Sequence, residues 1–456
     1  SWLDNLKLRL SYGMAGADNI DASLWRETWE STTVTFNGQT YSGYKPSGML
    51  SNPDLKWETT ISRNIGLDFG FFNNRLSGTI DAYWNTTKDL LMCIPIDETT
   101  GYSYQYQNIG QTSNKGIEIA LNYDILRTKD FTLGVSATYN YNHNNIDELA
   151  DNIIAQYGSQ WASNSTTPTY DYEFREGKSV GLIRGYICDG YYTTADFNYD
   201  PATQMYTLKP GVADLGTQVG NYPNHYNLPE GQVAFPGAIK LRDLDGNGVA
   251  GTEDVADLGE ITHPHTGGFN LNMTWKDIDF SAGFAWAAGG HVYNVNSLIN
   301  MYGQKDIALG ANKLEFISDC YQIYDIQNGE LVRVVEPDAL DALNTGAKYG
   351  VPYMENGTVL STFVEDASFL RLNTLTIGYT FPKAWTKKIG MQRARVYATA
   401  GNLFTITGYS GIDPEVNADP NKSTTAANTG NYPLLGMDYG TYPRARTFTF
   451  GVNITF

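Results

Sequence analysis

From Leu55 to Phe72 the chain keeps a period of two. Leu55, Trp57, Ile61, Ile65, Leu67, Phe69 and Phe71 are apolar at odd positions. Lys56, Glu58, Thr60, Ser62, Asn64 and Asp68 are polar at even ones, with Gly66 and Gly70 among them. That alternation predicts one long strand with an apolar and a polar face. Strands of soluble proteins run about 5–6 residues, so the length is itself a signal. After Asn73-Asn74 the apolar set resumes on even positions, Leu76, Ile80, Ala82 and Trp84, as it does across a tight hairpin.

The signature recurs. Ile117, Ile119, Leu121, Tyr123 and Ile125 alternate with Glu118, Asn122 and Asp124, and after a turn at 127–130 come Phe131, Leu133, Val135, Ala137, Tyr139 and Tyr141. Further strands are predicted over 264–276, 278–290, 363–381 and 392–407. The last carries Phe448, Phe450, Val452, Ile454 and Phe456 on one face. With an opening strand near Leu6–Gly13, the pattern predicts about ten strands. The connections fall into two sets. Those at 73–74, 127–130, 276–277 and 382–391 are short or moderate; those at 15–53, 95–105, 144–262, 292–361 and 410–439 are long. Short turns at one end and long loops at the other describe an all-β fold, a transmembrane antiparallel β-barrel of the outer membrane with multiple crossings and long extracellular loops. Trp57, Tyr83 and Trp84, near strand ends, are expected in its aromatic girdles. A soluble β-sandwich also alternates, but its strands are shorter, and loops of this length are uncommon inside compact domains.

Composition agrees. The chain holds 31 Lys+Arg against 49 Asp+Glu, a net charge of −18, which argues against a nucleic-acid partner because phosphate contacts need a basic face. Thirty-two Tyr and 46 Gly beside only 18% charged residues suit strands and long polar loops. No apolar run approaches the roughly 20 residues of a membrane helix; the stretch Leu90–Ile96 contains Pro95. The opening Ser-Trp-Leu-Asp has no initiator Met, basic n-region or apolar h-region, so a mature, truncated or fragmentary chain is expected. Cys93, Cys188 and Cys320 match no metal-ligand spacing.

One loop carries metal chemistry. Asp243-Leu-Asp245-Gly-Asn247-Gly248-Val249-Ala-Gly-Thr-Glu253-Asp254 follows the EF-hand ligand pattern. Oxygen ligands stand at positions 1, 3 and 5, Gly at 6, the Val249 carbonyl at 7 and a carboxylate at 12. Calcium takes six to eight hard oxygens, and a structural calcium ordering the 144–262 loop is expected from Asp243, Asp245, Asn247, Val249 and Asp254. Two features depart from the pattern: position 12 is the shorter Asp254, and flanking helices are not evident. The plainer reading is an Asp/Asn/Gly turn.

No catalytic constellation is legible, and no enzyme is expected. His263-Pro-His265 lacks further partners at metal-ligand spacing, and scattered carboxylates are not a pair. Tyr102, Tyr104 and Tyr106 stand above a strand whose polar even positions line the lumen. If the register carries through without a bulge they face inward too, as a stacking surface for sugar rings. An aromatic patch that closes the loop is the alternative.

Several segments resemble the SusC/RagA family of TonB-dependent outer-membrane transporters of Bacteroidetes. They are Phe363–Pro382 (FVEDASFLRLNTLTIGYTFP), Asn402-Leu-Phe-Thr405 running into Asp413-Pro-Glu415, and Tyr442–Phe456 (YPRARTFTFGVNITF). Asn52–Glu58, Asn114–Glu118 and Pro236–Lys240 fit as well, in family order. The resemblance implies a barrel of 22 strands, of which residues 1–456 would be the C-terminal part, with 440–456 as the final strand. The N-terminal plug domain would be absent from this chain. Ten strands cannot close around so wide a lumen, and unpaired edges are not tolerated in lipid. A plug and barrel half from the same gene product or a separate chain is therefore expected as partner. The resemblance further implies a SusD-like surface lipoprotein as lid, TonB acting through the plug, and surrounding outer-membrane lipid. The substrate would be a bulky nutrient, most commonly a glycan (an oligosaccharide), with an oligopeptide as the alternative. The terminal Phe456 resembles the barrel-insertion signal. A siderophore or cobalamin receptor fits the segments at 363–382 and 402–415 less well. The rival from another class is a secreted, calcium-stabilised adhesin or carbohydrate-binding β protein.

Overall fold

The computed structural model describes residues 2–17, 24–149, 155–157, 172–216, 226, 228–230, 232–302, 315–352, 359–416, 436–438 and 442–456. Ten long strands form its wall: β1 (Leu3–Ala17), β2 (Glu58–Phe71), β3 (Leu76–Lys88), β4 (Gly110–Arg127), β5 (Phe131–Leu149), β6 (His265–Trp275), β7 (Ile278–Ala288), β8 (Phe369–Thr380), β9 (Arg393–Thr407) and β10 (Thr447–Thr455). They pair antiparallel in strict sequence order, with β1 and β10 as the two ends of the sheet. The expected all-β barrel wall is thus present, strand for strand.

Turn chemistry fixes the hairpins. Phe72, Asn73 and Asn74 between β2 and β3 all have positive φ (58°, 58° and 54°), as does Lys276 (53°) between β6 and β7. That backbone twist matches the twist of the flanking strands, and Asn adopts it at low cost. The strand expected from 363 begins at Phe369. Val364–Asp366 pairs instead with His291–Tyr293, and the Asp366 carboxylate then accepts the Ser368 N–H at 2.7 Å, a local turn that interrupts the ladder.

Register assigns the faces. One carries Leu6, Leu8, Leu10, Ile65, Ile80, Ile117, Leu121, Phe448 and Phe450, all solvent-exposed in the isolated chain. Aromatic side chains gather at both ends of this face. Trp2 stacks on Phe71 at 5.6 Å and Tyr379 meets Phe381 at 5.2 Å near the short turns. Tyr139 stacks on Trp286 at 6.1 Å near the long connections. Trp84 belongs to that upper belt, but Tyr83 does not. Its neighbour in register, Gly116, and the bond from its hydroxyl to Asn142 Oδ1 (2.9 Å) place Tyr83 on the polar face. Adjacent residues of a strand point to opposite sides, so Trp84 and Tyr83 cannot share a girdle.

The long connections pack together. Residues from 172–262, 292–302, 315–363 and Met437 share one core that includes Ile183, Tyr186, Tyr192, Leu215, Phe235, Ile239, Tyr293 and Leu360. The Leu182–Tyr186 strand pairs with Val255–Glu260, and the Tyr186 N–H reaches the Val359 carbonyl at 2.8 Å, tying two connections together. Gly237 has φ 97° and lies against the Tyr321 ring where a Cβ would stand; only glycine meets both demands.

Candidate functional site

The polar face of the wall is crossed by three ion pairs from two arginines. Arg9 of β1 donates to Asp68 of β2 at 2.9 Å and to Asp81 of β3 at 2.8 Å. Its guanidinium passes over Gly66, where a Cβ would collide with both Asp81 and Arg9. Arg395 of β9 repeats the device over Gly378 of β8 to reach Asp279 of β7, at 2.9 and 2.5 Å. A planar fork suits such two-point contacts. Around them the face is built of amides and hydroxyls: Asn114 accepts from Asn142 and Asn144, each at 3.1 Å. A register shift at Leu133/Gly134 opens a hollow of about 430 Å³ lined by Asn122, Asp124, Ser136 and Asn272.

The three tyrosines lie on an arm that continues β3 and β4. Lys88 sits opposite Gln111 and Leu91 opposite Asn108, so the register crosses the junction with no inserted residue. Tyr104 and Tyr106, on the arm strand Tyr104–Asn108, meet edge to face at 6.3 Å. Tyr102 stands apart from that pair: its hydroxyl donates to Glu27 Oε1 at 2.9 Å, and that acceptor pushes the phenol pKa up. The arm also leans on the first long connection, where Asn52 Nδ2 donates to the Tyr106 carbonyl at 2.9 Å.

The acidic loop closes on itself. One ligand oxygen each from Asp243, Asp245 and Asp254 lie within 4.8 Å of one another. Asp243 accepts the Gly248 N–H (2.8 Å) and the Gly246 N–H (2.7 Å), contacts that hold it below the usual carboxylate range, the Gly248 bond most of all. The turns at Gly246 and Gly248 take φ 77° and 91°. Asn247 Oδ1 accepts the Val249 N–H at 2.8 Å. Asp254 is fully buried and accepts the Leu244 and Gly251 N–H groups at 2.6 Å each. Among the described residues no ion pair joins a Lys or Arg to these three carboxylates. Buried Tyr186 is pushed up to about 12, first by burial and then by the charges of Asp254 and Glu253. Three converging carboxylates, with the Asn247 amide oxygen and the Val249 carbonyl on the same loop, are hard oxygen donors of the kind a calcium ion takes. The residues therefore fit the group.

His263 and His265 do not share a site. His263 Nε2 lies 3.2 Å from the Ala367 carbonyl and His265 Nδ1 lies 2.9 Å from the Tyr139 hydroxyl. A network that sequence reasoning missed centres on Arg371 of β8. It binds Asp413 at 2.6 Å and Glu415 at 3.2 Å, and Glu415 in turn binds Arg444 at 3.1 Å. The signal was a lone Arg between Leu370 and Leu372, with Asp413-Pro-Glu415 downstream.

An uninterrupted meander with an apolar outer face, aromatic belts and a polar inner face is the wall of an outer-membrane barrel. The chain belongs to the TonB dependent receptor-like β-barrel family, whose model matches residues 1–228, half of its length. It resembles the SusC and RagA proteins and, like the family as a whole, is a protein of the outer membrane. TonB-dependent receptor P3 of Formosa agariphila is 30% identical over 453 residues, 99% of this chain and 39% of that protein. TonB-dependent receptor SusC of Bacteroides thetaiotaomicron is 28% identical over 468 residues, 100% of this chain and 38% of that protein. In fold, the chain matches the structure of the RagAB peptide transporter with a TM-score of 0.67 at 24% identity, covering 100% of this chain and 41% of the other. The chain thus spans about two fifths of the length of these relatives.

Proposed function

We propose that this chain forms the C-terminal part of the barrel of a TonB-energised transporter that imports a bulky nutrient, an oligosaccharide, beneath a SusD-like surface lipoprotein. The observation that carries the reading is the ten-strand meander with every long connection at one end, in a chain that resembles SusC along its whole length. A plug and the remaining strands would complete the barrel, and TonB would act through the plug. The connections at 150–264 and 289–368 would form the external vestibule, with Tyr102, Tyr104 and Tyr106 on an arm beside it as a stacking surface. An oligopeptide is the second reading, favoured by the likeness in fold to RagAB, a peptide transporter.

The test is uptake of labelled oligosaccharides and oligopeptides by cells with and without the gene, each with and without a protonophore. Loss of protonophore-sensitive oligosaccharide uptake is expected. Loss of peptide uptake alone would select the second reading, and loss of neither would refute the transport reading.

Within the vestibule, Asp243, Asp245, Asn247, the Val249 carbonyl and Asp254 would hold a structural calcium ion. Bound there, the ion would offset three carboxylate charges that no Lys or Arg among the described residues pairs with. Chelation is expected to speed hydrogen exchange across 240–256, with no change in the wall strands; unchanged exchange after verified chelation would count against it.

A further inference from the structure

The outer face of the wall carries a row of bases. Arg63 of β2 is paired with Tyr12 of β1. It lies between the pairs Ile61–Thr86 and Asn64–Tyr83, which brings it opposite Trp84 of β3. Trp84 is paired with Lys115 of β4, and Lys115 with His143 of β5. Neighbours in register share a face, so Tyr12, Arg63, Trp84, Lys115 and His143 stand side by side on the membrane-facing surface. Lys115 and His143 are exposed and Arg63 is half-buried. Among the described residues none of the three is ion-paired; Arg63 Nη1 donates to Thr86 Oγ1 at 3.3 Å. The neighbouring acid is Asp147, which attracts Lys115 through space without an ion-pair contact while its carboxylate is engaged by Ser113 and Asn145, at 2.8 Å each.

Height makes the row informative. At ~3.3 Å per residue and a strand tilt of roughly 40°, the stretch from Phe131 to His143 climbs about 30 Å, past an apolar band about 25 Å tall. The bases therefore sit just above the belt that holds Tyr139, Tyr141 and Trp286, at the level of lipid headgroups on the side of the long connections. Bases are costly deeper in the bilayer and are attracted to anionic headgroups at its surface. In a chain of net charge −18, gathering them there has one fitting counter-charge.

We propose that Arg63, Lys115 and His143 bind the phosphate headgroup of a lipid in the outer leaflet. Lys115 and Arg63 supply the charge, His143 adds a donor, and Trp84 and Tyr12 lie along the first acyl or sugar carbons below the phosphate. The proposal rests on the barrel and its place in the outer membrane and is independent of what the transporter carries.

The test uses the full-length protein, delipidated in detergent and mixed with micelles of a phosphorylated outer-leaflet lipid or of the same lipid after phosphatase treatment. Retained lipid is read by native mass spectrometry. Retention of the phosphorylated form at least tenfold above the dephosphorylated one is expected, with the preference lost in R63Q/K115Q. The K129Q variant removes a charge from the short turn at 128–130 and should keep the preference. R63K/K115R, which preserves charge, should keep it too and guards against a merely misfolded R63Q/K115Q. Equal retention of both lipids, or an unchanged preference in R63Q/K115Q, would overturn the proposal. Full competition by millimolar inorganic phosphate, with phosphate itself retained, would assign the site to free anion and overturn the lipid assignment.

Discussion

Arg371 enters from an apolar triplet, Leu370-Arg371-Leu372, yet ends 1% exposed with its guanidinium 5.3 Å from the Phe369 ring centroid and its fork on Asp413 and Glu415. Removing one partner of a buried pair leaves the other charge uncompensated. Arg371→Met is therefore expected to cost about 3–5 kcal/mol, read from urea unfolding of the full-length protein in lipid vesicles. Arg371→Lys should lose less because it keeps charge without the fork, and Asp413→Asn should restore part of the loss in the methionine background. Gly66→Ala is a second test at this scale: its Cβ would displace Arg9 from Asp81 and cost about 1–3 kcal/mol by overpacking. The Arg371 network was hard to read from the chain because its partners lie 42 and more residues away. The three carboxylates of the acidic loop were legible because their spacing is local. Tyr83 faces the lumen and not the expected girdle because its parity along the strand is opposite to that of the neighbouring Trp84.

At the scale of elements, period two was enough to place every wall strand, since each has one face toward an apolar surrounding and one toward a polar lumen. The short pairings were not legible. Leu91–Pro95 with Tyr104–Asn108, or Cys188–Tyr191 with Ile239–Leu241, span too few residues to show a period, and the second pair is held by the shared core. Charge pins this region as well: Asp257, on the Val255–Glu260 strand, meets Lys178 at 2.8 Å, Arg175 at 2.9 Å and Arg184 at 3.3 Å. Burial alone would raise the Asp257 pKa, but Lys178, Arg175 and Arg184 together outweigh it and hold the carboxyl below its usual range. A lowered native pKa contributes stability above the unfolded value of about 4 and loses it as the pH falls through the native one. Protection of the 255–260 amides, relative to their intrinsic exchange rate at each pH, should thus stay constant from neutral pH to about pH 5 and fall below about 4. D257N should show lower protection throughout and little further response to acid.

For the whole molecule, the sheet ends at β1 and β10, whose outer edges join no further strand among the described residues and leave backbone groups outside any ladder. In lipid each such group costs several kcal/mol, so residues 1–456 alone should give no heat-resistant folded species on unboiled gels after refolding into vesicles. A chain carrying the remaining barrel strands should give one. A closed barrel from residues 1–456 alone would contradict the assignment. The two aromatic belts have a consequence for the membrane itself. From Phe131 to Tyr141 the wall rises about 25 Å between them, and that distance is a ruler for hydrocarbon thickness. The bacterial outer membrane is thinner than the average bilayer, and the wall is cut to it. In long-chain lipid the same barrel must compress the bilayer around itself or cluster with other copies to hide the mismatch. Short-chain lipids are accordingly the matrix in which its native oligomeric state should be sought.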